Sequence, residues 1–149
     1  YFGVLSEVRS QSIVQVYPPQ IYINIIENNL GEQTDNPYIK PVIIEFFSRH
    51  LSANIVDTHN ADLLISGTVN TRSISDKPND YGIYQVFGDI TISISNGETG
   101  EELWEKSFNK IQGSDFQSNR EAANHSLKNI SKKISEEFLL EILELIKGI

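Results

Sequence analysis

Residues 61–111 leave this chain few folds to choose from. Ile90, Ile92 and Ile94 alternate with Thr91, Ser93 and Ser95, a period of two that puts three isoleucines on one face of a strand and hydroxyls on the other. Such a strand is half-buried and needs a cover on one side only. Asn96-Gly97 and Gly100 are expected to supply the positive-φ positions of a reversal, so that Leu103–Ile111 returns antiparallel. Upstream, Ala-Asp-Leu-Leu-Ile-Ser-Gly-Thr-Val (61–69) opens a strand expected over Ala61–Thr71.

The remaining elements follow from periodicity and punctuation. Residues 1–12, mixing Gly, Ser, Glu and Arg, are expected to be a loosely attached lead-in or a short edge strand. Ser12–Tyr17 and Ile21–Ile26 are β-branched and aromatic, and Pro18-Pro19, which cannot donate to a ladder, breaks them apart. In the second, Ile21, Ile23 and Ile25 point one way and Tyr22, Asn24 and Ile26 the other. Asn28–Asn36 is a polar loop. Asp35 or Asn36 then caps a helix with Pro37 at its first position, carrying Ile39, Val42, Ile43, Phe46, Phe47 and Leu51 on one face. Ile55-Val56 is a short strand or connector, 75–80 a loop, and Tyr81–Ser95 one long strand with bulges at Gly82 and Gly88. Gly113-Ser114-Asp115 ends the hairpin's second arm. Ser118 and Glu121 make a capping-box pattern ahead of a last helix whose stripe is Ala123, Leu127, Ile130, Ile134, Phe138, Ile142 and Leu145. The order β-β-α-β-β-β-α predicts an α/β two-layer sandwich: a mixed sheet of about five strands with both amphipathic helices on one face.

Composition narrows the function. A chain of 149 residues is expected to be a single domain. A net charge of −8 with 12 basic residues argues against nucleic acid as a partner, since phosphate binding needs clustered Lys and Arg. Without Cys there are no disulfides, thiolate metal sites or cysteine nucleophiles. Without Met, even at position 1, the expectation is a processed or truncated chain, either an exported one whose leader has been removed or a domain cut from a longer protein. No apolar run approaches the roughly 20 residues a membrane span needs.

The strand ending in Glu27-Asn28, the amphipathic helix and Ala61–Val69 form one half of a pattern. Gly-Glu-Thr-Gly-Glu-Glu-Leu-Trp (97–104) and a closing helix containing Ala122-Ala-Asn-His-Ser-Leu-Lys-Asn-Ile130 form the other. Together they resemble the small α/β domain of bacterial envelope lipoproteins, as in the TolB amino-terminal domain, LpoB, CsgG and FlgT, over roughly residues 20–145. The resemblance implies an anticodon-binding-domain-like fold and a non-enzymatic protein of the periplasm. It would be anchored to the outer membrane through an N-terminal lipid outside this chain and would serve an assembly or transport machine. It implies no cofactor, and as partners other envelope proteins or further copies of itself. The same order of elements, with a short helix-to-strand connection, is similar to the lipopolysaccharide-assembly lipoprotein LptE, which implies a role in lipopolysaccharide delivery.

Catalytic patterns are sparse. His50, His59 and His125 lie in three different elements without metal-ligand spacing. Asp57, His59 and Asp62 have a suggestive composition, but in a polar stretch ahead of a strand they are expected to form a turn. Glu101 and Glu102 face opposite ways along a strand, and Glu136 and Glu137 open the polar side of a helix, so neither pair is expected to converge in a cleft. No Gly-x-Ser-x-Gly elbow or phosphate loop occurs. Candidate partner-binding residues are therefore apolar. Tyr81, Ile83 and Phe87 are expected on the polar face of the sheet, and Trp104 either covers the core or anchors a partner. Leu139 and Leu143, with Leu140, fall off the last helix's stripe, so that its end is either deeply buried or meets another surface.

Overall fold

The computed structural model describes residues 18–147. The expected lead-in and the strand expected over Ser12–Tyr17 lie outside the described residues. The elements run β1 (Gln20–Asn29), β2 (Glu32–Gln33), α1 (Ile39–Leu51), β3 (Asn54–Val56), β4 (Leu63–Ser73), β5 (Tyr84–Asn96), β6 (Glu102–Asp115) and α2 (Asn119–Lys133). A π turn (Ile134–Phe138) then leads into α3 (Leu139–Lys147). The strands form one six-stranded mixed sheet in the order β2-β1-β4-β5-β6, with β3 also paired to β1. β1 runs parallel to β3 and β4, and the other pairs are antiparallel. This is the expected two-layer α/β sandwich.

The period of two decides which face is covered. Ile21, Ile23, Leu63, Ile65, Val69, Ile90, Ile92 and Ile94 point to one side and pack there against Ile39, Ile43 and Phe47 of α1. Leu127, Ile130, Ile134 and Phe138 from the last helical segment join the same core. Their hydrophobic burial, about 1.5–3 kcal/mol for each large side chain, drives the two layers together. Both helices therefore sit on one face, and no described residue covers the other.

Two glycines set how closely α2 approaches. A Cβ at Gly113 would lie 2.1 Å from the Ala122 carbonyl oxygen and 2.2 Å from the Ser126 nitrogen, and one at Gly88 would lie 2.4 Å from Ser126 Oγ. The small residues Ala122 and Ser126, both fully buried, rest on that glycine surface. Ser126 Oγ donates to the Ile111 carbonyl at 2.7 Å. Gly88 also borders a register shift in the β5–β6 ladder, the bulge expected there.

Several boundaries differ from expectation. α1 begins at Ile39 with Tyr38 as N-cap, so neither Asp35 nor Asn36 caps it and Pro37 precedes it. The competing acceptor is the Glu27 carboxylate on β1. Its Oε2 accepts from the Tyr38 N–H at 2.8 Å and its Oε1 from the Ile39 N–H at 3.0 Å. α1 ends at Ser52 in the left-handed region (φ 51°), where the Ala53 N–H donates to the Phe47 carbonyl. The loop expected over Asn28–Asn36 contains β2, paired back onto β1. At the β5–β6 turn Gly100 has φ +78°, but Gly97 is not at positive φ. Gly97 is needed because its N–H donates to the Asp62 carbonyl and a Cβ there would meet the Ala61 carbonyl. α2 is capped as expected, Ser118 Oγ accepting from the Glu121 N–H.

Candidate functional site

The uncovered face of the sheet is laid out in rungs by the strand register. One rung carries Asn24, Ser66, Ser93 and Glu105, and the next Ile26, Thr68, Thr91 and Ser107. Its hydroxyls bond one another across strands, Ser66 Oγ to Ser93 Oγ at 3.0 Å and Thr91 Oγ1 to Ser107 Oγ at 2.8 Å. Asn28 Nδ2 donates to Asn70 Oδ1 at 3.0 Å in the rung beyond. A shallow depression of about 260 Å³ lies at the centre, lined by Asn24, Ile26, Ser66, Gly67, Thr68, Thr91 and Ser93. Its lining has no ionisable group. That suits an uncharged surface or ligand and gives acid–base chemistry nothing to work with.

A second surface lies at the end of the sheet where β4 and β6 finish and β5 begins. Three large apolar side chains are exposed there: Ile74 (50%), Tyr81 (83%) and Phe116 (73%). Their loops adjoin. The Ile74 N–H donates to the Gln85 carbonyl, Asn119 Nδ2 donates to the Ser75 carbonyl at 2.9 Å, and Tyr84 pairs with Asp115 next to Phe116. Asn79 fixes the tip by accepting, through Oδ1, from the N–H groups of both Tyr81 and Ile83. The opposite end, formed by Asp57–Asn60 and Glu98–Glu101, is exposed and polar.

The sequence candidates divide among these surfaces and the core. The strand expected to start at Tyr81 starts at Tyr84, because Gly82 at φ +78° and the Asn79 bonds hold Tyr81–Ile83 in a turn. Tyr81 is therefore at the sheet's end and not on its face, with Ile83 half-buried beside it. Phe87 does lie on the uncovered face, 5.5 Å from the Arg72 guanidinium, and Arg72 pairs with Asp89. Trp104 covers the core. Its ring meets Phe138 edge-on at 5.4 Å, and its Nε1–H donates to Glu141 Oε1 at 3.0 Å. Lys106 bonds the other Glu141 oxygen at 2.7 Å, and these two donors, Lys106 first, hold that carboxyl below the usual range. Leu139 is buried, at 1% exposure, and offers no surface to a partner. The π turn accounts for this. Its wider turn rotates α3 about the helix axis, so Leu139 joins Phe138 and Ile142 in the core, while Leu140 stays on the outer side at 55% exposure. Leu143 is half-buried.

Asp57, His59 and Asp62 do not converge. Asp62 Oδ2 accepts from the Gln20 N–H at 2.8 Å, and His59 lies against Tyr22 with the rings tilted and their centroids 4.5 Å apart. His125 Nε2 lies 3.2 Å from Asp115 Oδ1, and Glu137 pairs with Lys133. Among the described residues no three His, Asp or Glu side chains are placed to hold a metal ion. No described helix is long and apolar enough to cross a membrane, which says nothing of a β-barrel. The buried carboxylate, Glu27, is 2% exposed. Burial outweighs its two N–H bonds and pushes its carboxyl above the ordinary glutamate range. Sequence reasoning missed Glu27 as a helix cap. The signal was its odd number, which placed it on the same face as Ile21, Ile23 and Ile25.

No family model matches the chain, and no curated protein matches it in sequence. It is similar in structure to lipoprotein GNA1162 of Neisseria meningitidis, at 11% identity over 80% of this chain and 100% of that one, with a TM-score of 0.42. It is also similar to a PelC dodecamer subunit of Paraburkholderia phytofirmans, at 16% identity over 78% and 85%, with a TM-score of 0.40. A minor lipoprotein of Acinetobacter baumannii matches at 8% identity over 82% and 94%, with a TM-score of 0.44.

Proposed function

We propose that this chain is a non-enzymatic domain of an exported bacterial envelope lipoprotein that binds other proteins of an outer-membrane assembly or transport machine. One observation carries the binding role: Ile74, Tyr81 and Phe116 stand exposed on adjoining loops at one end of the sheet, while the other end is polar. Exposed aromatic and aliphatic side chains gathered on a rigid scaffold are what a partner's pocket recognises, since each carries a large apolar area at little entropic cost. The resemblance of residues 20–145 to envelope lipoprotein domains supports the compartment and the class of partner.

A photo-crosslinking amino acid placed at Tyr81 or Phe116, in cells of the source organism, tests this. It should yield a discrete covalent adduct with an envelope protein, and the same probe at Thr99 on the polar end should not. Equal adducts from both ends, or none from Tyr81 and Phe116, would overturn the reading.

A further inference from the structure

The uncovered sheet face is a different surface from the apolar end, and it has properties of its own. Its hydroxyl pairs and its Asn28–Asn70 pair already satisfy one another, so removing water from them costs less than for unpaired polar groups. A hydroxyl is both donor and acceptor, so a hydroxyl face is complementary to itself. Ile26, at 41% exposure, is the exposed large apolar side chain on this face.

The rungs then restrict how a second copy could lie. A two-fold axis along the rung Ile26–Thr68–Thr91–Ser107 keeps each strand over its own equivalent and reverses the order of rungs. Ile26 then meets Ile26 and Thr68 meets Thr68. The rung on one side, ending in Glu105, faces the rung on the other side, Asn28–Asn70–Asp89. Lys110 stands at the β6 end of that rung, its N–H bonded to Asp89 Oδ1 at 2.9 Å. Glu105 of each copy is thus brought to Lys110 of the other, twice per dimer. Neither residue forms an ion pair with another described residue. For a chain of net charge −8, a docking mode that is neutral at its centre and complementary at its rim avoids the general repulsion between copies.

We propose that this face is a self-association surface, on which a second copy of the chain packs sheet to sheet about that axis. Four strands about 4.8 Å apart and five rungs about 6.8 Å apart, from Tyr22–Leu64–Ser95 to Arg72–Phe87–Gln112, make a patch of about 650 Å² per copy. The total of about 1,300 Å² lies at the low end for a specific interface, so the dimer is weak and reversible.

Sedimentation velocity over rising concentration tests this with charge reversal. Glu105→Lys and Lys110→Glu should each weaken dimerisation about tenfold, because two complementary contacts become repulsive in each dimer. The double variant, which restores complementarity, should dimerise like the wild type. The chain has no Cys, so a Thr68→Cys variant adds a second readout. With its sulfurs close to the axis, mild oxidation should crosslink it rapidly into a dimer, whereas Ser48→Cys on the exposed side of α1 should stay monomeric. A wild type that remains monomeric to millimolar concentration overturns the proposal. So does a double variant as weak as either single one, or equal crosslinking at Thr68 and Ser48. None of these results bears on the apolar end, whose adducts are measured separately.

Discussion

Gly113 supports the helical layer, and replacing it with Ala gives a prediction whose size follows from geometry. The added Cβ would stand 2.1 Å from the Ala122 carbonyl oxygen and 2.2 Å from the Ser126 nitrogen, both backbone atoms that cannot rotate away. Ordinary contact begins near 3.4 Å, so α2 would have to retreat by about 1.3 Å. Ala122, Ala123, Ser126, Leu127 and Ile130, all buried, would retreat with it. Overpacking of this kind costs about 1–3 kcal/mol. Losing the bond from Ser126 Oγ to the Ile111 carbonyl adds about 1 kcal/mol. The smaller entropy of an unfolded Ala relative to Gly offsets about 0.4–1 kcal/mol. The net expectation for Gly113→Ala is a loss of about 2 kcal/mol. For Gly88→Ala the atoms met are the side-chain ends Ser126 Oγ and Ile130 Cδ1, which can move, so the loss is about 1.5 kcal/mol. Gly100, at φ +78° with open space around it, is the control, and Gly100→Ala loses about 1 kcal/mol through backbone strain alone. Trp104, the one tryptophan, packs on Phe138, so urea unfolding followed by its fluorescence reports all three variants. If Gly113→Ala cost no more than Gly100→Ala, close seating of α2 on β6 would be refuted.

Glu27→Ala leaves the part-buried N–H of Tyr38 and the buried N–H of Ile39 without acceptors and should cost about 3 kcal/mol by urea unfolding, Glu27→Gln less. The pH dependence has a definite sign. With its pKa raised in the fold, Glu27 keeps its proton at pH values where the unfolded chain has lost it. Its contribution is therefore fully present below the unfolded glutamate pKa and is lost as pH rises through the folded one. The stability of the wild type relative to Glu27→Gln should accordingly increase on acidification through that window, and a difference that shrinks instead would contradict the burial. Leu139→Ala should cost about 2–4 kcal/mol and Leu140→Ala under about 1 kcal/mol in the same assay, while equal effects would place the π turn wrongly. Glu141→Gln should red-shift Trp104 emission by loosening the indole held by its carboxylate, and an unchanged spectrum would count against that bond.

The sandwich was legible because its evidence is periodic. Alternation in β1 and β5 and the spacing of three and four in the helices each state which face is buried, and the faces agree. The features that were not legible depend on contacts between distant parts of the chain. Asp35, Asn36 and Pro37 carry the local marks of a helix start, but Glu27, eleven residues before Tyr38, takes both N–H groups and moves the start to Ile39. Gly113 looked like the end of a strand, because nothing local says that a helix will lie on it. Counted on a regular helical period Leu139 falls off the buried stripe, which leaves burial and a surface role both open, and a π turn is invisible to that count. At the apolar end Tyr81 was singled out as an aromatic after a long loop, whereas Ile74 and Phe116 join it only through pairing of their loops in the sheet.

The central claim is that the apolar end recognises another protein, and the affinity for the partner captured by crosslinking tests it most directly. Titration calorimetry would compare the wild type with a variant carrying Ile74→Ser, Tyr81→Ser and Phe116→Ser. Because all three side chains are exposed, the melting temperature should be close to that of the wild type. Affinity should fall by about a hundredfold or more, as for the loss of interface anchors. Unchanged affinity with the fold intact would contradict the account.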